Sequence, residues 1–188
     1  MSVRAALAGG TARLRAAGVP EPARDARRLM AEALGLAPDR LTLALADPLP
    51  AAAAAAFARM LEERARARPV AQIVGRRAFW GREFRVTGAV LDPRPETEAL
   101  IALALEGPPP ARILDLGTGS GAILLTLLAE WPAARGVGTD IDPAALAVAA
   151  ENAARLGLAE RTELRRLDWT EGLAGRFDLV VSNPPYIP

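Results

Sequence analysis

Between Arg112 and Ser182 the chain repeats one pattern, a short apolar run followed by a stretch of helical length. Ile113-Leu114-Asp115-Leu116, Gly136 to Asp140, Thr162 to Arg166 and Phe177 to Ser182 read as strands; Ala122 to Ala129 and Pro143 to Leu156 read as helices. Strands joined by helices pair side by side in one direction through right-handed crossovers, so the expected class is α/β with a parallel sheet. Such a sheet needs cover on both faces. Only six residues follow the fourth strand, and the expectation is a domain cut short there. In open α/β sheets ligands bind beyond the carboxyl ends of the strands, which directs the search for chemistry to the turns after them.

The segment before the repeat has a different texture. Residues 1–69 are rich in Ala, Leu and Arg, with Pro or Gly at the expected element ends, and read as a small helical bundle. Glu21-Pro22 opens a helix carrying Ala26, Leu29, Met30 and Ala33, Leu41 to Ala46 suggests a short third element, and Pro50 opens a long helix that stops before Pro69. Residues 70–92 alternate in short pieces around glycines and read as a β-hairpin linker. Residues 93–188 form the α/β domain, entered by an amphipathic helix from Pro95.

Composition removes several kinds of chemistry. All 23 basic residues are arginine, and lysine, histidine and cysteine are absent. No Schiff base, thiolate nucleophile, imidazole base, disulfide or ordinary zinc site can be built. Charge is uneven, net +4 before residue 70 and net −3 after it, which suits an acidic partner for the first part without requiring one. The amino terminus lacks a secretory pattern, and the apolar stretch Leu49 to Met60 is too short for a membrane span. A cytoplasmic location and no membrane partner are expected.

The turn after the first strand is Asp115-Leu116-Gly117-Thr118-Gly119-Ser120-Gly121. Glycines there permit a tight turn and close approach of a ligand to backbone. Asp140 ends the second strand, where a carboxylate can accept from both hydroxyls of a ribose. Together they suggest a nucleoside pocket. The turn has no Gly-Lys-Ser or Gly-Lys-Thr, and its glycine spacing is not that of dinucleotide sites. The leading Asp115 favours a ligand with an amine over a pyrophosphate, and S-adenosylmethionine supplies one. Asp168 can accept from the adenine amino group, and Trp169 offers a flat apolar face. Asp142 is expected to cap the following helix. Arg94, between two prolines, suggests local capping and an Arg-carboxylate bridge; Phe79, Trp80 and Phe84 are expected to seal the two domains.

After the fourth strand comes Asn183-Pro184-Pro185-Tyr186. The prolines restrict the backbone, so the Asn183 carboxamide is presented in a narrow range of directions. Its donor and acceptor, with the Pro184 carbonyl, can grip a planar amide from one edge, and Tyr186 can wall the pocket. Methyl transfer to a nitrogen so held needs alignment and electrostatics rather than a histidine base, since the nitrogen becomes acidic as it is attacked.

With these marks in order, the chain resembles the peptide chain release factor glutamine methyltransferase family. The matching residues are Phe79-Trp80-Gly81, Pro93-Arg94-Pro95-Glu96-Thr97-Glu98, Asp115 through Gly121, Asp140, Asp168-Trp169 and Asn183 through Tyr186. The resemblance implies a class I S-adenosylmethionine-dependent, Rossmann-like domain behind a helical substrate-recognition domain. It further implies methylation of the glutamine amide in the Gly-Gly-Gln motif of bacterial release factors, with S-adenosylhomocysteine as product. Asp115, Gly117, Thr118, Gly119, Ser120, Gly121, Asp140, Asp168, Trp169 and Asn183 would serve the cofactor; Asn183, Pro184, Pro185 and Tyr186 would hold glutamine, with Asn183, Pro184 and Tyr186 as the catalytic set. A monomer without metal or direct nucleic-acid contact is expected. The alternative is an amino-methyltransferase acting on a nucleic acid base or a ribosomal protein glutamine.

Overall fold

The computed structural model describes residues 1–184, and the chain divides into two compact units, Met1–Val74 and Gly75–Pro188. The first is helical: α1 (Val3–Ala16), α2 (Pro22–Ala33), a 3-10 turn (Pro38–Ala44), α3 (Ala51–Ala65) and α4 (Val70–Val74). Ser2 caps α1 by accepting from the Ala5 amide at 3.3 Å. Leu14, Leu29, Met30, Leu41, Phe57 and Leu61 form one apolar core, each contributing roughly 1.5–3 kcal/mol by burial. Arg64 crosses from α3 to bind Asp25 of α2 at 2.7 Å, a pair with little exposure.

One segment departs from the expected hairpin linker of residues 70–92. Val70–Val74 is a single helical turn of the first unit. The Pro69 carbonyl accepts from the Gln72 and Ile73 amides, and Val70, Ile73 and Val74 pack on the helical core. An apolar run of five residues carries too little periodicity to separate strand from helix, and contact with the core decides.

The second unit begins with an antiparallel hairpin, β1 (Arg76–Phe79) and β2 (Arg82–Arg85). Its two-residue turn has positive φ at both Trp80 (46°) and Gly81 (70°), the geometry that matches strand twist. The expected seal between domains is corrected for Phe79 and Phe84. Both lie edge to face, 6.1 Å apart, in the core of the second unit itself, and Trp80 packs against that core.

After α5 (Pro95–Leu105) the chain alternates β3 (Arg112–Leu116), α6 (Ala122–Glu130), β4 (Arg135–Asp140), α7 (Pro143–Arg155), β5 (Thr162–Arg166) and β6 (Leu179–Ser182). The sheet is parallel throughout in the order β5-β4-β3-β6, as the alternation requires. Helix α6 is buried from Ala122 through Leu128, so its sequence is apolar all round. Gly136 lets it lie close on β4: a Cβ there would come 2.5 Å from Leu124. Leu116 of β3 pairs with Thr139 of β4 and Ser182 of β6, so the carboxyl ends of three strands line up at one edge.

Candidate active site

At that edge the chain leaves β3 through three glycines in the left-handed region, Gly117 (φ 69°), Gly119 (54°) and Gly121 (78°). The turn is braced from several sides. Thr118 donates its amide to the Thr139 carbonyl at 2.8 Å, and Gly121 to Thr118 at 2.8 Å. The Gly119 amide donates to Asp140 Oδ2 at 3.0 Å. Asn152, buried in α7, donates to the Ser120 carbonyl at 2.9 Å and to the Arg85 carbonyl at 3.1 Å, while its Oδ1 accepts from the Arg85 amide at 2.7 Å. Among the described residues nothing stands above the outer face: a Cβ on Gly117 would meet no atom of theirs within 4 Å, and one on Gly119 only the Gly117 carbonyl at 4.0 Å.

Asp115 sits beneath this turn, 1% exposed. Its Oδ2 accepts from the Thr118 hydroxyl at 2.7 Å, and the Leu124 amide at the start of α6 faces the carboxyl without closing a well-formed hydrogen bond to Oδ1. Burial pushes the carboxyl up to about 7; the Thr118 hydroxyl and the Leu124 amide oppose that rise, and the charge of Asp140 adds to it. The carboxylate thus braces the turn from inside, and it is not among the described residues that line the cavity beyond the strand ends.

That cavity has a volume of about 540 Å³, and Gly117, Gly119, Asp140, Asp168, Trp169 and Asn183 all line it. The residues expected for a nucleoside pocket are therefore brought to one space, while Thr118, Ser120 and Gly121 of the same turn are not on its wall. Asp140 accepts from Gly119 on one oxygen and from the Asp142 amide on the other, at 3.0 Å each, and each oxygen retains a second lone pair. Asp142 caps α7 as expected, accepting from Ala144 at 2.8 Å.

Sequence reasoning did not single out Leu91, Ile141, Ala145 or Leu167, which also line the wall. Leu91 (60% exposed), Ile141 (61%) and Trp169 (56%) leave large apolar surfaces open around one space, the mark of a ligand site rather than of scattered surface residues. The position of Ile141, directly after the acid that ends β4, was the available signal. Leu91 carried none.

Asn183 follows β6 at the level of the turn after β3. The Ser182 hydroxyl donates to the Leu116 carbonyl at 2.9 Å, tying the two strand ends, and Asn183 Nδ2 donates to Thr97 Oγ1 of α5 at 3.0 Å. Pro185 and Tyr186 lie outside the described residues. A smaller chamber of about 70 Å³ adjoins the same wall, sharing Leu91, Gly117, Gly119 and Asn183 and adding Asp92, Arg94, Thr97, Ser120, Ala122 and Ile123. The Arg94 bridge goes to Asp92, at 3.6 Å. Arg94 makes no side-chain cap of α5, and Glu98 accepts from the Trp80 amide at 2.8 Å.

Among the described residues no cluster of His, Cys, Asp or Glu could hold a metal ion, and no helix is long and apolar enough to cross a membrane. Two family models match the chain, the PrmC N-terminal domain over residues 5–75 and the methyltransferase small domain over 95–187. A release factor glutamine methyltransferase of Cereibacter sphaeroides is 62% identical over 97% of this chain and 65% of its own length. The protein of that name from Rhodospirillum rubrum is 47% identical over 95% of this chain and 56% of its own. That from Moorella thermoacetica is 43% identical over 100% of this chain and 68% of its own. The chain thus spans between about half and two thirds of the length of these relatives. With such identity running through both units, the chain belongs to the release factor glutamine methyltransferase family.

Proposed function

We propose that the protein methylates the side-chain amide nitrogen of the glutamine in the Gly-Gly-Gln motif of peptide chain release factors, using S-adenosylmethionine, in the cytoplasm. The observation that carries this reading is the single cavity shared by the bare glycine backbone, Asp140, Trp169 and Asn183. Its walls fit the cofactor. A Cβ on Gly117 would project into open space that a ligand can fill, the spare lone pairs of Asp140 suit a ribose diol, and Trp169 and Ile141 suit a purine. When bound, the cofactor supplies an electrophilic methyl group on a sulfonium.

The chain's own part is to place a poor nucleophile. A glutamine amide nitrogen has a delocalised lone pair and needs orientation more than a base. The Thr97 hydroxyl takes the Nδ2 end of Asn183, which sets the Oδ1 end as the acceptor for an N–H of the incoming amide. The Pro184 carbonyl is the second acceptor in the proposed set, with Pro185 and Tyr186 as the remaining substrate contacts. An amide held by two acceptors keeps its nitrogen at the cavity and loses its proton as positive charge develops. Asp115, Thr118, Ser120 and Gly121 shape the turn, and Asp168 is assigned to the adenine amino group. The helical unit, Met1–Val74, is assigned to recognition of the release factor, residues 75–92 to the link and 93–188 to transfer, in a monomer.

Incubating the full-length protein with labelled S-adenosylmethionine and either a release factor or adenine-containing nucleic acid tests this. Mass analysis should place one methyl group on the Gly-Gly-Gln glutamine. Label in a nucleoside, and none in the release factor, would overturn the reading.

A further inference from the structure

We infer, resting on the cofactor reading above, that Asn152 is a positioning residue for the transfer reaction: its carboxamide ties the hairpin strand β2 to the glycine turn, and cofactor affinity depends on that tie. Asn152 is 1% exposed and lines neither the cavity nor the smaller chamber beside it, so it acts through backbone. Strand β2 pairs with β1 on one side, and its other edge presents backbone groups that need partners. At Arg85 the partner is this side chain from α7. Asn152 Oδ1 accepts from the Arg85 amide at 2.7 Å and Nδ2 donates to the Arg85 carbonyl at 3.1 Å, the two bonds a neighbouring strand would make. Nδ2 also donates to the Ser120 carbonyl at 2.9 Å, so one buried carboxamide joins the hairpin to the turn.

The bond to Ser120 reaches the ligand side through one peptide. The Ser120–Gly121 unit is held at both ends, its carbonyl by Asn152 and its amide by the Thr118 carbonyl at 2.8 Å. Fixing that plane fixes the backbone leading into it, and Gly119, next in line, is on the cavity wall. Helix α7 comes close enough because Gly121 has no side chain: a Cβ there would stand 3.4 Å from the Ala149 Cβ and 2.9 Å from Leu125 Cδ1. Ala149 and Asn152, three residues apart and both buried, turn the same face of α7 to the glycine turn. Packing alone does not require a carboxamide at this point. The half-exposed ion pairs Arg85–Glu151 and Arg155–Glu83 already join α7 to β2, whereas loss of the carboxamide leaves three backbone groups without their partner.

Calorimetry with S-adenosylhomocysteine and methylation rates at saturating S-adenosylmethionine, both on the full-length protein, test this. Asn152→Leu keeps the branched shape and removes all three bonds; Asn152→Asp keeps an acceptor for the Arg85 amide and removes the donors. Both should weaken S-adenosylhomocysteine about tenfold and leave the rate at saturation within about threefold. Arg85→Ala, which deletes the ion pair with Glu151 and keeps the backbone, should stay within about twofold of wild type in affinity. Wild-type affinity in either folded variant, or a rate loss as large as or larger than the affinity loss, would overturn the assignment while leaving the cofactor reading in place. Should neither variant fold, amide exchange of the wild-type protein decides, because coupling between two places is reciprocal. S-adenosylhomocysteine should then slow exchange of the Arg85 amide severalfold more than that of the β5 amides, and equal slowing would overturn the tie. A wild-type protein that binds no S-adenosylhomocysteine overturns the cofactor reading and this inference with it.

Discussion

The glycine turn after β3 and the asparagine after β6 leave neighbouring strands at the same level, yet they are held in different ways. The turn is fixed from below by Asp115 and Thr118, from the side by Thr139 and Asp140, and from behind by Asn152. Asn183 bonds a hydroxyl of α5, and the Ser182 tie to Leu116 fixes the strand end before it. A site of this kind needs both: backbone that does not move when a ligand lies on it, and a side chain whose direction is set. The braced side carries the larger stability penalty, because a carboxylate without solvent lies under it.

Breaking the comparison on its most expensive member gives the largest effect. Asp115 has an ordinary carboxyl value when unfolded, and burial raises it to about 7 in the fold. The folded state therefore holds the proton more tightly, and stability is highest at low pH and declines from about pH 4 to about pH 7. That span of about three pH units, at about 1.36 kcal/mol each, amounts to something on the order of 4 kcal/mol. Denaturant titrations of the cofactor-free protein should show this decline. In Asp115→Asn it should vanish, with the variant gaining stability at pH 8; an unchanged slope would show that the carboxylate is ionised at no such cost.

On the other side, Asn183→Ala removes the proposed acceptor for the amide. The methylation rate should fall about 100- to 1000-fold, comparable to loss of one oriented group at a reacting centre, while the Kd for S-adenosylhomocysteine changes only a few fold. Asp140→Ala should show the reverse split: Kd rises about 10- to 100-fold, as expected for hydrogen bonds to a charged group, and the rate at saturating cofactor falls less. Two variants with the same split would erase the division between a side that binds and a side that aligns.

The parallel sheet was legible because helix and strand periods are local, and the strand limits around Ile113, Gly136 and Thr162 follow from a few residues each. The turn and Asp140 were legible because glycines and an acid at strand ends have few other uses there. Other features depend on partners far along the chain. Asn152 looks like an ordinary polar residue of α7, and its bonds reach Arg85 and Ser120, 67 and 32 positions away. The apolar rim is assembled from Leu91, Ile141 and Trp169, which no local pattern connects. Phe79 and Phe84 were read as a seam between domains because aromatic residues in a glycine-spaced segment do not reveal which core they enter.

The smallest effect tests whether Asn183 is set by α5 or only by its prolines. Thr97 lies 86 positions before Asn183 and is buried, so its hydroxyl is a specific partner for Nδ2. Thr97→Val keeps the branched shape and leaves Nδ2 without that acceptor, at a cost of about 1 kcal/mol, or roughly a fivefold lower rate. Thr97→Ser restores an oxygen at the same position and should recover most of the rate, which a packing defect at α5 would not allow. If valine and serine behave alike, the prolines alone orient the carboxamide. If only valine is slow, the hydroxyl of Thr97 helps to set the aligning side, which then is held by hydrogen bonding as the glycine turn is.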